Sequence, residues 1–144
     1  MTVAGLFSAP VRVEVAPVAP GIFTYTANGQ GAGAITHVDG SPVTMEGPAQ
    51  PGELVIVYAT GLGEVMPAVS TGALPAGVSN TVSPVRLTIG GIGVTPEFAG
   101  LAGCCVGLNQ INVRVPVGVS RGNAIPVVLS LNGRSSNPVT IATQ

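Results

Sequence analysis

The sequence of 144 residues has no lysine and no tryptophan, and only 8% of its residues are charged. It contains a single histidine, His37, and a single aspartate, Asp39. Acid–base, nucleophilic and metal-dependent catalysis all need such groups at suitable spacing, so the sequence predicts no enzyme, no metal centre and no cofactor. The absence of lysine also excludes an isopeptide cross-link from a lysine to an asparagine or aspartate side chain.

Positive charges are few and dispersed. The formal net charge is −1, and the five cationic residues are all arginines scattered along the chain. Nucleic-acid binding needs a clustered basic face, so we expect no nucleic-acid partner. Apolar runs end after a handful of residues, whereas a membrane-spanning helix needs about 20, so no membrane span is expected. The first 20 residues also lack the cationic start and apolar run of a signal peptide.

Glycine, proline and valine dominate what is present. The 21 glycines and 13 prolines separate short valine-rich stretches, a pattern typical of many short strands joined by turns. A disordered chain would be poor in branched apolar residues, which are abundant here. The length fits one domain with a buried core. We assign residues 11–144 to a single β-sandwich domain and residues 1–10 to a linker or leading segment.

Alternation of apolar and polar residues locates the strands. Residues 11–15 alternate valine with charged residues, which predicts an opening strand with one buried face. Residues 53–59 are apolar at nearly every position and predict a central strand covered on both sides. The pairs 90–91 and 132–133 are typical hairpin turns. The whole pattern predicts an all-β, immunoglobulin-like β-sandwich of about eight or nine antiparallel strands, without helices.

The long connection 61–84 is the leading candidate for a binding loop. It is rich in glycine, proline, serine and threonine, and a loop of this length is uncommon unless it binds something or contains short strands. A ligand-binding module would use it to hold a glycan or calcium, and the first calcium candidates are Glu46, Glu53 and Glu64. The side chains that such a loop would offer are Glu64, Ser70, Thr71 and Asn80.

Cys104 and Cys105 are adjacent and lie between Gly103 and Gly107. Their Cα atoms lie about 3.8 Å apart, below the usual disulfide range, so a vicinal disulfide would be strained and would stiffen the turn. Two reduced thiols in a loop explain the pair equally well, and an intermolecular bridge is a third alternative. Two adjacent thiols in a chain with one histidine do not predict a metal site.

His37 and Asp39 are two residues apart and would share a face of an extended strand. An aspartate-oriented histidine could activate Ser41, but no nucleophile elbow accompanies these residues. A polar strand end beside a turn explains both side chains, and we favour this structural interpretation.

Aromatic residues are rare, with three phenylalanines and two tyrosines. Phe23, Tyr58 and Phe98 lie in strand-like segments, so most of them are expected in the core, and only Phe7 and Tyr25 look available. Sugar binding usually relies on exposed aromatic rings. The sequence therefore makes a carbohydrate-binding surface of the usual aromatic kind an unfavoured hypothesis.

A polar row is predicted on the strand 108–115. Ile111 and its apolar neighbours face one side, while Gln110, Asn112 and Arg114 face the other. Amides in such rows often hold neighbouring loop backbone, so we expect a structural role for the row.

Several short phrases follow one another in a fixed order from about Pro10 to the end of the chain. They are Ala19-Pro20-Gly21-Ile22-Phe23-Thr24, Gly29-Gln30-Gly31-Ala32, Pro51-Gly52-Glu53, Tyr58-Ala59-Thr60-Gly61-Leu62-Gly63, Gly90-Gly91, Ala99-Gly100-Leu101, Gln110-Ile111-Asn112-Val113-Arg114-Val115-Pro116 and Ser136-Asn137-Pro138-Val139-Thr140-Ile141. Taken together, the series resembles an uncharacterised C-terminal domain family found in large secreted proteins of Solibacter-type soil bacteria. The stretch 51–63 is also similar to the opening of IPT/TIG immunoglobulin-like domains.

The resemblance implies an extracellular module at the end of a longer protein, with no catalytic residues to carry over. Members of the family continue from a preceding sandwich domain through a segment like residues 5–15. In the family pattern, proline and aromatic residues occupy the stretch where this chain has Cys104 and Cys105.

The first functional hypothesis is a non-catalytic structural or adhesive module of a larger secreted protein, whose partners are neighbouring domains or further copies of itself. Self-association would follow if residues 3–15 left their own domain and paired with an exposed sheet edge of another copy. The alternative is an accessory domain that binds glycan or calcium through the loop 61–84. An enzyme that uses His37 is a third and less favoured hypothesis.

Overall fold

Fourteen strands and no helix make up the part of the chain that the structure describes. The computed structural model describes residues 9–144, together with the backbone of residues 2–3 and 6–7. The first two strands, β1 (Thr2–Val3) and β2 (Leu6–Phe7), pair with each other in a small separate sheet. No helix that could cross a membrane occurs among the described residues.

The first large sheet has seven strands. Its order from one edge is β3 (Gly21–Ile22), β5 (Leu54–Thr60), β11 (Asn109–Arg114), β10 (Phe98–Leu101), β7 (Asn80–Thr81) and β6 (Val65–Met66), and β4 (Ile35–His37) also pairs with β5. All of these pairings are antiparallel. The centre of the sheet is therefore the long-range pair β5 and β11.

The second large sheet has five strands. They are β8 (Arg86–Ile89), β9 (Ile92–Val94), β12 (Gly122–Leu131), β13 (Arg134–Ser135) and β14 (Val139–Thr143). The predicted turn between β8 and β9 is confirmed, because Gly90 and Gly91 have φ values of 59° and 80° and Ile89 pairs with Ile92. Two consecutive residues with positive φ form the tight hairpin turn that matches the twist of the strands.

One apolar core lies between the two large sheets. On β5, Val55, Val57 and Ala59 are each 0% exposed, and they belong to the same cluster as Leu129 of the second sheet. Full burial of a valine or leucine side chain contributes roughly 1.5–3 kcal/mol. The all-β prediction is confirmed, and the two antiparallel sheets around one core are consistent with a β-sandwich.

The number of strands exceeds the eight or nine expected from the pattern. Six of the strands are only two residues long. Such short pieces carry too few side chains for an alternation to be visible. Two of them, β6 and β7, lie inside the connection 61–84 and divide what the sequence presents as one long loop.

Residues 11–15 are not a strand, contrary to the prediction. Val11, Val13 and Val15 are 83%, 76% and 93% exposed. The chain joins the first sheet only at Ala19, whose N–H donates to the carbonyl of Gly61 at 2.9 Å. Residues 11–15 have no backbone partner in the described part of the chain, so an alternating sequence alone does not make a strand.

Candidate functional site

A groove of about 690 Å³ lies between the connection 61–84 and the turn that joins β10 to β11. Three of the predicted binding residues, Glu64, Ser70 and Thr71, line it. The fourth, Asn80, lies on β7 opposite Gly100 and is not part of the lining. The connection thus folds into a concave surface that holds most of the predicted set.

The groove is largely apolar. Its apolar lining includes Val65, Met66, Val69, Val82, Leu101 and Val106. Among the described residues of the lining, Glu64 is the only one with an ionisable side chain. Among the described residues no three histidine, cysteine, aspartate or glutamate side chains form a group that could hold a metal ion. Glu46, Glu53 and Glu64 are therefore not brought together as the calcium hypothesis requires.

Cys104 and Cys105 lie on the turn beside this groove. Both are exposed free thiols, and their Sγ atoms are 2.6 Å apart. In an extended strand adjacent side chains point to opposite faces, so it is the turn that places both thiols on one side. The hydrogen bond to Cys104, followed by burial, raises the pKa of the Cys105 thiol. The vicinal disulfide stays a prediction.

His37 connects three segments of the first sheet's edge. Its Nδ1 atom contacts Oε1 of Glu53, and its Nε2 atom lies 3.1 Å from the carbonyl oxygen of Gly47. A carbonyl oxygen and a carboxylate both accept hydrogen bonds, so the protonated ring, which has a hydrogen on each nitrogen, satisfies both contacts. The hydrogen bond to Glu53 is the main cause of the raised pKa of His37; burial opposes it. Because both ring nitrogens are occupied, the side chain of His37 links β4 to Gly47 and Glu53 and has a structural role.

We expect the stability that His37 contributes to depend on pH. The pKa of His37 is raised in the folded protein, so its contribution is fully present below the unfolded pKa of about 6.5 and is lost as pH rises through the folded pKa. His37→Gln should therefore lower the free energy of unfolding by about 1 kcal/mol near pH 5 and by less near pH 9. Urea unfolding of both proteins at the two pH values measures this, and a difference that does not change with pH would contradict it.

Asp39 and Ser41 form a local turn and not a relay with His37. Oδ1 of Asp39 accepts hydrogen bonds from the backbone N–H of Ser41 at 2.9 Å and from its hydroxyl at 2.6 Å. These two bonds lower the pKa of the Asp39 carboxyl. The ring of His37 is bound to Glu53 and Gly47, so it does not activate the serine, in line with the structural interpretation.

In the polar row on β11, Arg114 holds a neighbouring loop, whereas the two amides bond to each other and not to loop backbone as expected. Nε2 of Gln110 donates to Oδ1 of Asn112 at 2.8 Å. Nη1 of Arg114 donates to the backbone carbonyl of Gly52 at 3.1 Å, and its Nε donates to Glu97 at 2.6 Å. The arginine therefore fixes the turn before β5.

The expectation for the aromatic residues is wrong. Phe23 is 44% exposed, and Tyr58 and Phe98 lie outside the buried core. Register explains this, because Tyr58 pairs with Gln110 while the buried Val57 pairs with Ile111. Residues paired across an antiparallel sheet share a face, so Tyr58 points away from the core. Tyr25 is exposed, as expected, and the side chain of Phe7 lies outside the described residues.

In comparisons with known proteins, no family model, curated protein or solved structure matches this chain. The resemblance to the secreted C-terminal domain family and to IPT/TIG domains stays a prediction. What the structure defines is a class: an all-β protein with two antiparallel sheets around one core and a mainly apolar groove at one edge of the first sheet.

Proposed function

We propose that this protein is a non-catalytic structural or adhesive module of a larger extracellular protein, and that it associates with further copies of itself by strand pairing. The observation that supports this is the segment 11–15. It has the alternating sequence of a strand, yet its three valines are at least 76% exposed. Exposed valines at every second position favour burial against a sheet that another molecule supplies.

Strand β9 offers an edge to receive this segment. It lies at the end of the second sheet and pairs only with β8 in the described part of the protein. Ile92 closes the two-residue hairpin with Ile89, so the next pair, Gly93 with Thr88, is the non-hydrogen-bonded kind. The N–H and C=O of Gly93 therefore point outward, where an added strand would bind them.

The side chains of this edge match those of the segment. Ile92 and Val94 lie opposite the buried Ile89 and Leu87, so they face the core side of the sheet. Ile92 is 36% exposed and Val94 is half-buried. A strand added at this edge would place the valines of 11–15 beside them, while Arg12 and Glu14 would face solvent.

Replacement of Val13 by lysine is expected to weaken self-association about tenfold or more, because it places a charge on the face that would be buried. The melting temperature of the monomer should not change, since Val13 is 76% exposed. Light scattering after size-exclusion chromatography at rising protein concentration measures the mass.

The matched control is Val78→Lys, at a valine that is 69% exposed and lies outside residues 11–15, outside β9 and outside the lining of the groove. This control should associate like the wild type. A wild type that stays monomeric at every concentration, or equal effects of the two lysines, would show that residues 11–15 do not mediate pairing.

Ligand binding in the groove is the second candidate function. Its support is that Glu64, Ser70 and Thr71, which the sequence singles out, line one concave surface. Apart from these three side chains, the described lining is apolar, and Glu64 supplies the one carboxylate in it. The groove therefore favours a small, mainly apolar ligand over a cation, which several carboxylates would have to hold.

A further inference from the structure

Three of the five aromatic residues, Phe23, Tyr58 and Phe98, belong to the solvent side of the first sheet. The backbone N–H of Phe23 donates to the carbonyl of Tyr58 at 3.0 Å, one residue beyond the pair of Ile22 with Ala59. Ile22 and Ala59 are buried in the core. Because successive residues of a strand point to opposite faces, Phe23 and Tyr58 both point outward.

The register extends this outer face across the sheet. Tyr58 lies opposite Gln110, and the neighbouring outward position, Asn112, lies opposite Phe98 on β10. Side chains directly opposite each other in a sheet have Cβ atoms about 5 Å apart. Two amides therefore lie between aromatic rings on neighbouring strands.

The amides are joined in a way that leaves polar atoms free. Gln110 donates one hydrogen bond to the Oδ1 atom of Asn112 at 2.8 Å. Within the described residues, Oε1 of Gln110 and Nδ2 of Asn112 have no protein partner, and neither is buried away from solvent. Each is free to bind a ligand, one as an acceptor and the other as a donor.

Tyr25 lies at the margin of this face, beside Thr140 and Ala142 of the second sheet, and its ring is held in place. The hydroxyl of Tyr25 donates to the carbonyl of Ile35 at 2.9 Å while the residue is 51% exposed. Burial and the neighbouring Tyr58 raise the pKa of Tyr25, in agreement with two tyrosines that lie close together. A ring that is fixed at its hydroxyl end loses little conformational freedom when a ligand stacks on it.

The centre of this face is uncharged. The outward positions on its two central rows are occupied by Phe23, Tyr58 and Gln110 in one row and by Ile56, Asn112 and Phe98 in the other. The ion pair of Arg114 with Glu97 lies at the next position along the strands. Aromatic rings with free amides and no charge suit a ligand that is neutral, has apolar flat faces and carries hydroxyl groups.

We propose that the outer face of the first sheet binds a neutral linear polysaccharide, with sugar rings stacked on Phe23 and Tyr58 and hydroxyl groups hydrogen-bonded to Gln110 and Asn112. A polymer fits better than a single sugar because the aromatic and amide side chains are spread over the neighbouring strands β5, β11 and β10 and are not gathered in one pocket. This site is separate from the groove and from the segment 11–15, so the inference does not depend on the proposed self-association.

The test is native electrophoresis in gels that contain hydroxyethylcellulose, xylan or glucomannan, together with sedimentation on microcrystalline cellulose and chitin. The wild type is expected to be retarded or retained by at least one of these five polymers. Phe23→Ala and Gln110→Leu should each lower the affinity about tenfold. Melting curves should show that both variants fold, since Phe23 is partly exposed and leucine keeps the size of Gln110.

Two variants with changes elsewhere serve as controls. Glu64→Gln alters the groove and Val13→Lys alters the pairing segment, and both should bind the polymer like the wild type. No interaction with any of the five polymers would overturn the inference. So would equal binding by Phe23→Ala, or loss of binding in Glu64→Gln, which would move the site to the groove.

Discussion

Replacement of Gly61 by alanine is expected to lower the free energy of unfolding by about 2–5 kcal/mol, through two separate costs. Gly61 has a φ of 74°, in the left-handed region that disfavours a side chain. A Cβ atom at this position would lie 1.9 Å from the carbonyl oxygen of Ala19. That oxygen belongs to the backbone of the segment that enters the first sheet at Ala19. The N–H of Ala19 donates to the carbonyl of Gly61 itself. Neither Ala19 nor Gly61 can therefore move away from the other without loss of this hydrogen bond.

Two other glycines separate these costs in the same measurement. Gly72 has a φ of 79°, and a Cβ atom added there would meet no other atom within 4 Å, so Gly72→Ala carries the strain without the clash. Gly77 has neither feature, and Gly77→Ala should be close to neutral. Urea unfolding ranks the three variants. If Gly61→Ala were no less stable than Gly72→Ala, the close approach of Ala19 would not be essential to the fold.

Local signals in the sequence were sufficient for the elements whose partners are nearby. The turn at 90–91 joins two strands that are adjacent in the chain, and glycine at both central positions predicts its geometry directly. The turn at 132–133 behaves in the same way, with φ values of 48° and 73°. Alternation on β11 also gave the correct buried face, because every second residue from Ile111 to Val115 is at most 1% exposed.

Features that depend on distant partners were not predictable. Residues 11–15 have a better alternation than several real strands, but a strand needs a second strand, and none is present beside them in the described part of the molecule. The apolar run 53–59 suggested burial on both faces. Its register with β11 instead places Tyr58 opposite Gln110 on the half-exposed side.

The aromatic face was missed for the same reason. Phe23 and Tyr58 are 35 positions apart in sequence, and only the pairing of β3 with β5 brings them together. A single signal was available: leucine, isoleucine and tyrosine alternate with smaller residues in 54–59, and the larger set faces outward. The groove was easier to anticipate, since three of its polar side chains lie in one continuous connection.

The two large sheets protect their edges unequally, and Asn137 shows how. Its Oδ1 atom accepts from the N–H of Ile22 at 2.8 Å, and its Nδ2 atom donates to the carbonyls of Ile22 at 3.0 Å and Gly29 at 2.8 Å. The side chain thus occupies the backbone groups that β3 would otherwise present at the edge of the first sheet. No side chain in the described residues does this for Gly93 on β9, which is why we place the strand-pairing surface there.

Asn137→Ala should therefore lower the free energy of unfolding by about 3 kcal/mol, because it removes three hydrogen bonds and leaves half-buried backbone groups without partners. Asn137→Asp keeps the acceptor for Ile22 but loses both donor hydrogen bonds. Its loss of stability should be at least as large as that of Asn137→Ala, because the new carboxylate faces the carbonyl oxygens of Ile22 and Gly29.

The control is Asn123→Ala, at an exposed asparagine whose side chain makes no hydrogen bond within the described residues. Urea unfolding gives the energies, and amide hydrogen exchange at Ile22 should accelerate in Asn137→Ala alone. Equal stability of Asn137→Ala and Asn123→Ala would mean that the edge of β3 is held by β5 without help from this side chain.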